Sequence, residues 1–323
     1  MSAPHPDSAT VRAALALALR APSVHNTQPW RWRTGDRSVH LFADESRTLP
    51  TADPDQRELL LSCGTALHHF RVAARSLGWR TIVHRYPNTA DPAHLAAIEF
   101  APVAPSADIE ELARAVNRRR TDRRAFTSWE VPDGYVAAMI AAGSEQGAAV
   151  LEVGDESAAR VRAAFARAGA EHHGDLGYRV ELAMWSGRHA AAEGVPARNA
   201  VTSTDPMTRQ FSAGTLAEAV VHDRTGGRML LVHTATDDPA AWLRAGEATS
   251  AALLTATTYG LATCPLTEPF EISGTRDALR EAVLGGSGFP QLLIRTGWAA
   301  TSAKPVPITP RRALAEVVGP LDV

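Results

Sequence analysis

Two stretches of the chain share one pattern. Gly64-Thr-Ala-Leu runs on to Ser76-Leu77-Gly78-Trp79, and Gly246-Glu-Ala-Thr runs on to Thr258-Tyr259-Gly260-Leu261. Each is an Ala-rich helical stretch with a second glycine at the same interval and an apolar residue directly after it. Alanine favours helix, and glycine just past the last turn is a common stop. A unit that occurs twice implies two similar α+β halves in one chain, imitating a homodimer. The division falls near residues 101–115, after a Pro/Ala-rich linker at 101–108. The expected domains are therefore 1–108 and 109–323.

The 323 residues suit two units of the usual ~150-residue size. At 45% hydrophobic and 21% charged the chain can bury a large core beneath an ordinary soluble surface. A net charge of −2 supplies no global field toward nucleic acid or anionic lipid. Apolar runs are broken by Arg, His or Glu well before ~20 residues, so no membrane span is expected. The N-terminus shows no basic segment followed by an apolar run, and Cys63 and Cys264 sit in or beside apolar helical stretches. Those features predict buried thiols in a cytoplasmic protein.

Helices are expected at 8–21, 55–77, from about 109 into the arginine run, from 133, over 155–190 and at 239–260. Strands are expected at 30–33, 38–42, 80–85, 95–100, 150–153, 228–234 and 291–297. Residues 191–227 are rich in Gly, Pro, Ser, Thr and Asp without a period. A run of that length inside a compact protein is a lid or a disordered loop.

Most familiar chemistries are absent. No G-x-G-x-x-G follows a strand, and there is no phosphate loop with its lysine and no G-x-S-x-G elbow. His68-His69 and His172-His173 are adjacent pairs, which point about 100° apart on a helix and make no shared metal site. Two features remain. "PSVHNTQPW" at 22–30 ends the first helix in a cluster of hydrogen-bonding groups set beside aromatic bulk. "NRRRTDRRAF" at 117–126 holds five arginines in the seven residues 118–124, readable as a solvated helix face, a phosphate cluster or a nucleic-acid contact. Asp122 and the missing aromatic ladder weigh against nucleic acid. Arginine's planar fork suits a terminal phosphate.

Pro22-Ser23-x-x-Asn26-x-Gln28-Pro29-Trp30 resembles the flavin-side turn of the nitroreductase superfamily. Arg119-Arg120-Thr121-Asp122-Arg123 is similar to its Arg-x-Ser-x-Arg phosphate motif. "ATTYGLATCPLTEPFE" at 256–271 resembles its late helix and ring-edge loop, "FPQLLIRTGWA" its last core strand, and "PRRALAEVV" its C-terminal basic motif. The fused form resembles the Acg family of actinobacterial NAD(P)H nitroreductases.

The resemblance implies FMN at the interface between the halves. The first half keeps the turn and lacks the arginine motif, and the second keeps the arginines and lacks the turn, so one complete site per chain is expected. Ser23, Asn26 and Gln28 would hydrogen-bond the flavin beside Pro22, with Trp30 and Trp32 anchoring the turn. Arg119, Thr121 and Arg123 would hold the phosphate, with Arg311 or Arg312 as a further cation; if the register slips, Arg120 and Arg124 take over. Pro265, Leu266, Thr267 and Glu268 would lie along the ring edge. Pro269 follows where relatives have glycine, and proline has no N–H to offer the ring. No catalytic side chain and no metal are required.

The activity implied is hydride transfer from NAD(P)H through FMN to a nitroaromatic or quinone-type acceptor. The rival is an FMN store, carrier or sensor whose lid closes over the flavin. The expected partners are NAD(P)H and a small aromatic acceptor, with no nucleic acid and no membrane, for a monomer acting as a pseudo-dimer.

Overall fold

The computed structural model describes residues 4–187, 192–218 and 227–321. Asp7 caps the first helix, α1 (Ser8–Ala18), by accepting from the Thr10 amide. A single 3-10 turn at Val24–Asn26 follows, then a hairpin of β1 (Trp30–Thr34) and β2 (Val39–Ala43). Trp30 and Trp32 point inward and are wholly buried, anchoring the preceding turn. The long helix α2 (Arg57–Ser76) leads into β3 (Trp79–Arg85) and β4 (His94–Pro102), so the first residues of the expected linker are strand.

Helix α3 (Ala107–Arg118), capped by Ser106, carries the chain across. The second unit is α4 (Asp133–Ser144), β5 (Ala149–Glu152), α5 (Asp155–Gly174), α6 (Leu176–Met184), β6 (Arg228–Thr234), α7 (Pro239–Thr258), β7 (Ala262–Leu266), α8 (Ser273–Leu284) and β8 (Phe289–Gly297). The chain ends with one helical turn, α9 (Leu314–Val317), and β9 (Val318–Pro320).

These elements form an α+β fold with two sheets. One has the order β3-β4-β2-β1-β9 and the other β5-β6-β8-β7. All neighbours are antiparallel except β9, which pairs parallel to β1 and returns the C-terminal segment to the first sheet. Between the sheets α2 and α7 cross, with most residues of α2 and the whole stretch 245–254 of α7 buried. Such helices lack a polar face because each is covered on its own sheet side and by its twin.

Three expectations change. The helical region expected over 155–190 is two helices, because Asp175 leaves helical geometry and caps α6 through the Tyr178 amide; its last residues, 188–190, lie outside the described ones. The stretch 262–266 is a strand, and Pro265 fits there because β7 is the edge of its sheet. Strand β9 is too short to show a period. Among the described residues, no helix is long and apolar enough to cross a membrane.

A candidate anion and ring site between the halves

A cleft enclosing about 910 Å3 of empty space, counted out to its open mouth, lies between the units. Pro22, Ser23, Val24 and His25 form one rim, and Glu58, Leu61, Ser62 and Thr65 of α2 form the wall behind them. Opposite lie Thr121, Arg123 and the run Cys264 to Glu268, which follows α7 through β7 into a 3-10 turn. Met207, Thr208, Arg209 and Phe211 of the 191–227 stretch close part of the mouth. Of that stretch, 191 and 219–226 lie outside the described residues.

The rim turn is held in an uncommon backbone conformation. His25, Asn26 and Gln28 have φ of 44°, 56° and 53°, a left-handed geometry that costs non-glycine residues roughly 1 kcal/mol each. The surroundings fix it. Ser23 Oγ accepts from the Gln28 amide at 2.9 Å, and Ser62 Oγ from the Val24 amide at 3.0 Å. Asn26 Oδ1 accepts from Arg311 at 3.0 Å, while its Nδ2 donates to the carbonyls of Gly194 and Pro310. Gln28 Oε1 accepts from the Arg312 amide at 2.8 Å, and its Nε2 donates to the Ala192 carbonyl. Asn26 and Gln28 thus fasten the turn to the C-terminal segment, and neither lines the cleft.

The arginine run adopts an extended path after α3. Asp122 donates its amide to the Thr263 carbonyl, and Thr121 bridges to Thr263 beside β7. Successive side chains then alternate. Arg124 turns to Asp122, which takes it with both oxygens. Arg120 caps the end of α3 on the Asn117 carbonyl. Arg119, Thr121 and Arg123 take the other side: Thr121 and Arg123 line the cleft, and Arg119 donates to Thr121 Oγ1 at 3.3 Å.

Charge there is out of balance. Among the described residues no carboxylate pairs with Arg119 or Arg311, and the buried Nε atoms of Arg20, Arg119 and Arg311 have no hydrogen-bond partner. Burial pushes Arg119 down to about 10, helped by Arg120, Arg20 and Arg123. Arg311 is pushed down to about 9 by burial and by Arg119, Arg20 and Arg120. His69, buried in α2, presents a partnerless Nε2 and is held well below its usual value by burial and Arg119. Buried guanidiniums without counter-charge are costly unless an anion joins them. Arg312 is different, because it donates to Asp44 at 3.2 Å.

At the other end acids dominate. Arg209 binds both oxygens of Glu271, the Tyr178 hydroxyl, Thr267 Oγ1 and His25 Nε2. Burial opposes ionisation of Glu271 and Glu268, yet Arg209 and His172 together outweigh it and both stay below the usual carboxylate range. His172 stacks on Tyr178 at 3.7 Å and bonds Glu268. Pro269 sits inside the 3-10 turn, where the amides of Phe270 and Glu271 are spent on Thr267 and Glu268 carbonyls. Arg123 donates to the Asn199 carbonyl and lies over the Phe211 ring at 4.8 Å.

Glu58, Ser62, Thr65, His25, Arg20, Arg209 and Phe211 were not among the expected site residues. The first three had a signal: they fall at i, i+4 and i+7, a polar stripe interleaved with the apolar run Leu59 to Leu67.

No protein-family model matches the chain. "Putative NAD(P)H nitroreductase Rv3131" of Mycobacterium tuberculosis is 48% identical over 98% of this chain and 93% of its own length. "Putative NAD(P)H nitroreductase acg" of the same organism is 36% identical over 95% of this chain and 94% of its own. Among solved structures, the FMN-dependent nitroreductase NfnB of Mycobacterium smegmatis in complex with NADPH is 20% identical, with a TM-score of 0.42, over 64% of this chain and 96% of that one. The chain belongs to the family that the two M. tuberculosis proteins represent, the Acg-like NAD(P)H nitroreductases.

Proposed function

We propose that the chain binds one FMN in the cleft and uses it to move electrons from a reduced nicotinamide cofactor to a small aromatic acceptor of the nitroaromatic or quinone type. One observation carries the reading. Among the described residues, Arg119 and Arg311 have buried Nε donors without a partner and no paired carboxylate, and Arg119 is joined through Thr121 to a ring-sized cleft. A terminal phosphate supplies the missing acceptors and charge there. Arg119, Thr121 and Arg123 would hold it, with Arg311 behind; Pro22 and Ser23 would meet the ring from one half, and Pro265, Leu266, Thr267 and Glu268 from the other. Asn26, Gln28 and Arg312 would act by holding the turn. With Pro269 lacking an N–H, the backbone donor to the ring would come from Thr267 or Glu268.

When bound, FMN supplies hydride acceptance and electron transfer, and the protein's part is to hold and orient it. Residues 1–108 and 109–323 would act as the two members of a pseudo-dimer, with the buried, unpaired Cys63 and Cys264 suited to the cytoplasm.

A second reading is favoured by Arg209 and Phe211. The first pins the loop to Glu271 and the second covers Arg123. With the loop held there, the protein would store, carry or sense FMN with little turnover. An anaerobic absorbance scan of FMN-loaded protein before and after NADPH and NADH separates the two. Bleaching by either cofactor supports the reductase. A band that persists with both, yet bleaches with dithionite, supports the closed carrier. Protein that takes up no FMN overturns both.

A further inference from the structure

Glu58 stands in the first turn of α2, 1% exposed, on the cleft wall next to Ser62 and Thr65. Its two oxygens are unequal. Oε1 accepts from Arg57 Nη2 at 3.0 Å, and Oε2 has no hydrogen-bond partner. Arg57 is shared, since its other nitrogen serves the Gln291 carbonyl at 2.5 Å. The helix start is already satisfied by Asp53, whose oxygens accept from the amides of Glu58 and Leu59. Glu58 is therefore not needed as a cap.

We propose that Glu58 is a ring-positioning residue that donates a hydrogen bond from Oε2 to an acceptor atom of the flavin ring. This rests on the FMN reading above. The surroundings favour the protonated form. Burial and the neighbouring charges of Glu271 and Asp53 raise its pKa well above the carboxylate range, and Arg57 and Arg209 offset this only in part. A protonated carboxyl group has one O–H to give, and Oε1, facing Arg57, must accept. The proton therefore resides on Oε2, the oxygen without a partner. A buried donor left unmade is costly, and a heteroaromatic ring rich in carbonyl and imine-type acceptors, seated in the cleft that Glu58 lines, would complete it.

Two substitutions separate donor from charge. Glu58→Gln keeps an acceptor for Arg57 and a donor at the second position but can never be an anion. Glu58→Met keeps the volume and removes the donor. FMN affinity is read by quenching of flavin fluorescence on titration into apoprotein, with thermal melting of each apoprotein as the folding control. Glu58→Gln should bind within about threefold of wild type, and Glu58→Met should bind about tenfold or more weakly, the size of one lost hydrogen bond in a closed site. Equal binding by wild type and Glu58→Met would overturn the inference and leave the FMN reading intact. Equally weak binding by Gln and Met would also overturn it, since an ionised carboxylate would then be what the ring requires. Wild-type apoprotein that binds no FMN removes the reading and this inference together.

Discussion

Gly64 and Gly246 face each other where α2 crosses α7. A Cβ on Gly64 would lie 2.0 Å from the Leu243 carbonyl oxygen and 2.9 Å from the Gly246 Cα; a Cβ on Gly246 would lie 2.0 Å from the Leu61 carbonyl oxygen and 2.9 Å from the Gly64 Cα. The contacts are reciprocal, residue for residue, as at an isologous interface. His68 bonds Ser250, its equivalent in the other repeat, at 2.8 Å, and His69 shares the same hydroxyl. The repeat is thus the axis about which the halves are arranged, and the cleft is set by how closely these helices approach.

Gly64→Ala or Gly246→Ala should therefore separate the helices, because backbone atoms cannot yield as a flexible side chain can. The loss expected is 3 kcal/mol or more, on the order of the largest overpacking costs. Gly169→Ala in α5, whose Cβ meets nothing within 4 Å, should instead gain roughly 0.5–1 kcal/mol from helix propensity. Urea denaturation followed by circular dichroism reads both. Equal effects at the two sites would refute the crossing as described.

This contact also shows what was legible in the sequence. The repeated glycines gave away the doubled architecture, because a helix glycine that must admit a backbone leaves a fixed position. Trp30 and Trp32 were legible as anchors through the family resemblance of the turn, and both are wholly buried. The closing loop was not: Arg209 and Phe211 lie in a stretch with no period, and their partners Glu271 and Arg123 are far along the chain. Strand β7 was hidden by Pro265, which an edge position tolerates. The roles of Asn26 and Gln28 in fastening the turn to Arg311 and Arg312 depend on tertiary proximity that no local pattern records.

The arginine cluster predicts an anion effect independent of redox chemistry. Inorganic phosphate should raise the melting temperature of apoprotein by mass action on the native state. Arg119→Ala/Arg311→Ala should lose that response and FMN retention together; because Arg311 also fastens the turn through Asn26 Oδ1 and the Arg20 and Ala21 carbonyls, the phosphate response of each apoprotein is read against its own melting temperature. A double variant that stays fully yellow would sink the phosphate assignment.

Buried histidines predict how stability responds to acid. Burial holds His25 and His68 down to about 3, against 6.5 in the unfolded chain. Between those values the unfolded chain binds protons that the native one refuses, so stability falls as pH drops below about 6.5. Each adds a slope of about 1.4 kcal/mol per pH unit. Glu58 works oppositely, keeping in the native state a proton that the unfolded chain releases. Comparing wild type with His68→Gln isolates one term. The variant's stability should decline less steeply between pH 6.5 and 5 in urea titrations, and parallel curves would contradict the assignment.

The last prediction concerns the loop that closes the cleft. Arg209 is its anchor: it touches Glu271, Tyr178, Thr267 and His25, four groups belonging to the cleft and its flanking elements. Removing Arg209 alone would strand the Glu271 carboxylate in a buried site and cost several kcal/mol, which would confuse folding with gating. Arg209→Met/Glu271→Gln removes both charges at similar volume and leaves the rest of the cleft in place. If the ion pair holds the loop shut, this variant should release FMN faster on dilution, and NADPH should bleach its flavin band faster than in wild type under anaerobic stopped flow. Faster release with unchanged bleaching would mean that the loop retains the cofactor without guarding it from the nicotinamide. Unchanged rates in both would mean that the ion pair only stabilises the fold, because a latch must alter passage through the mouth it closes.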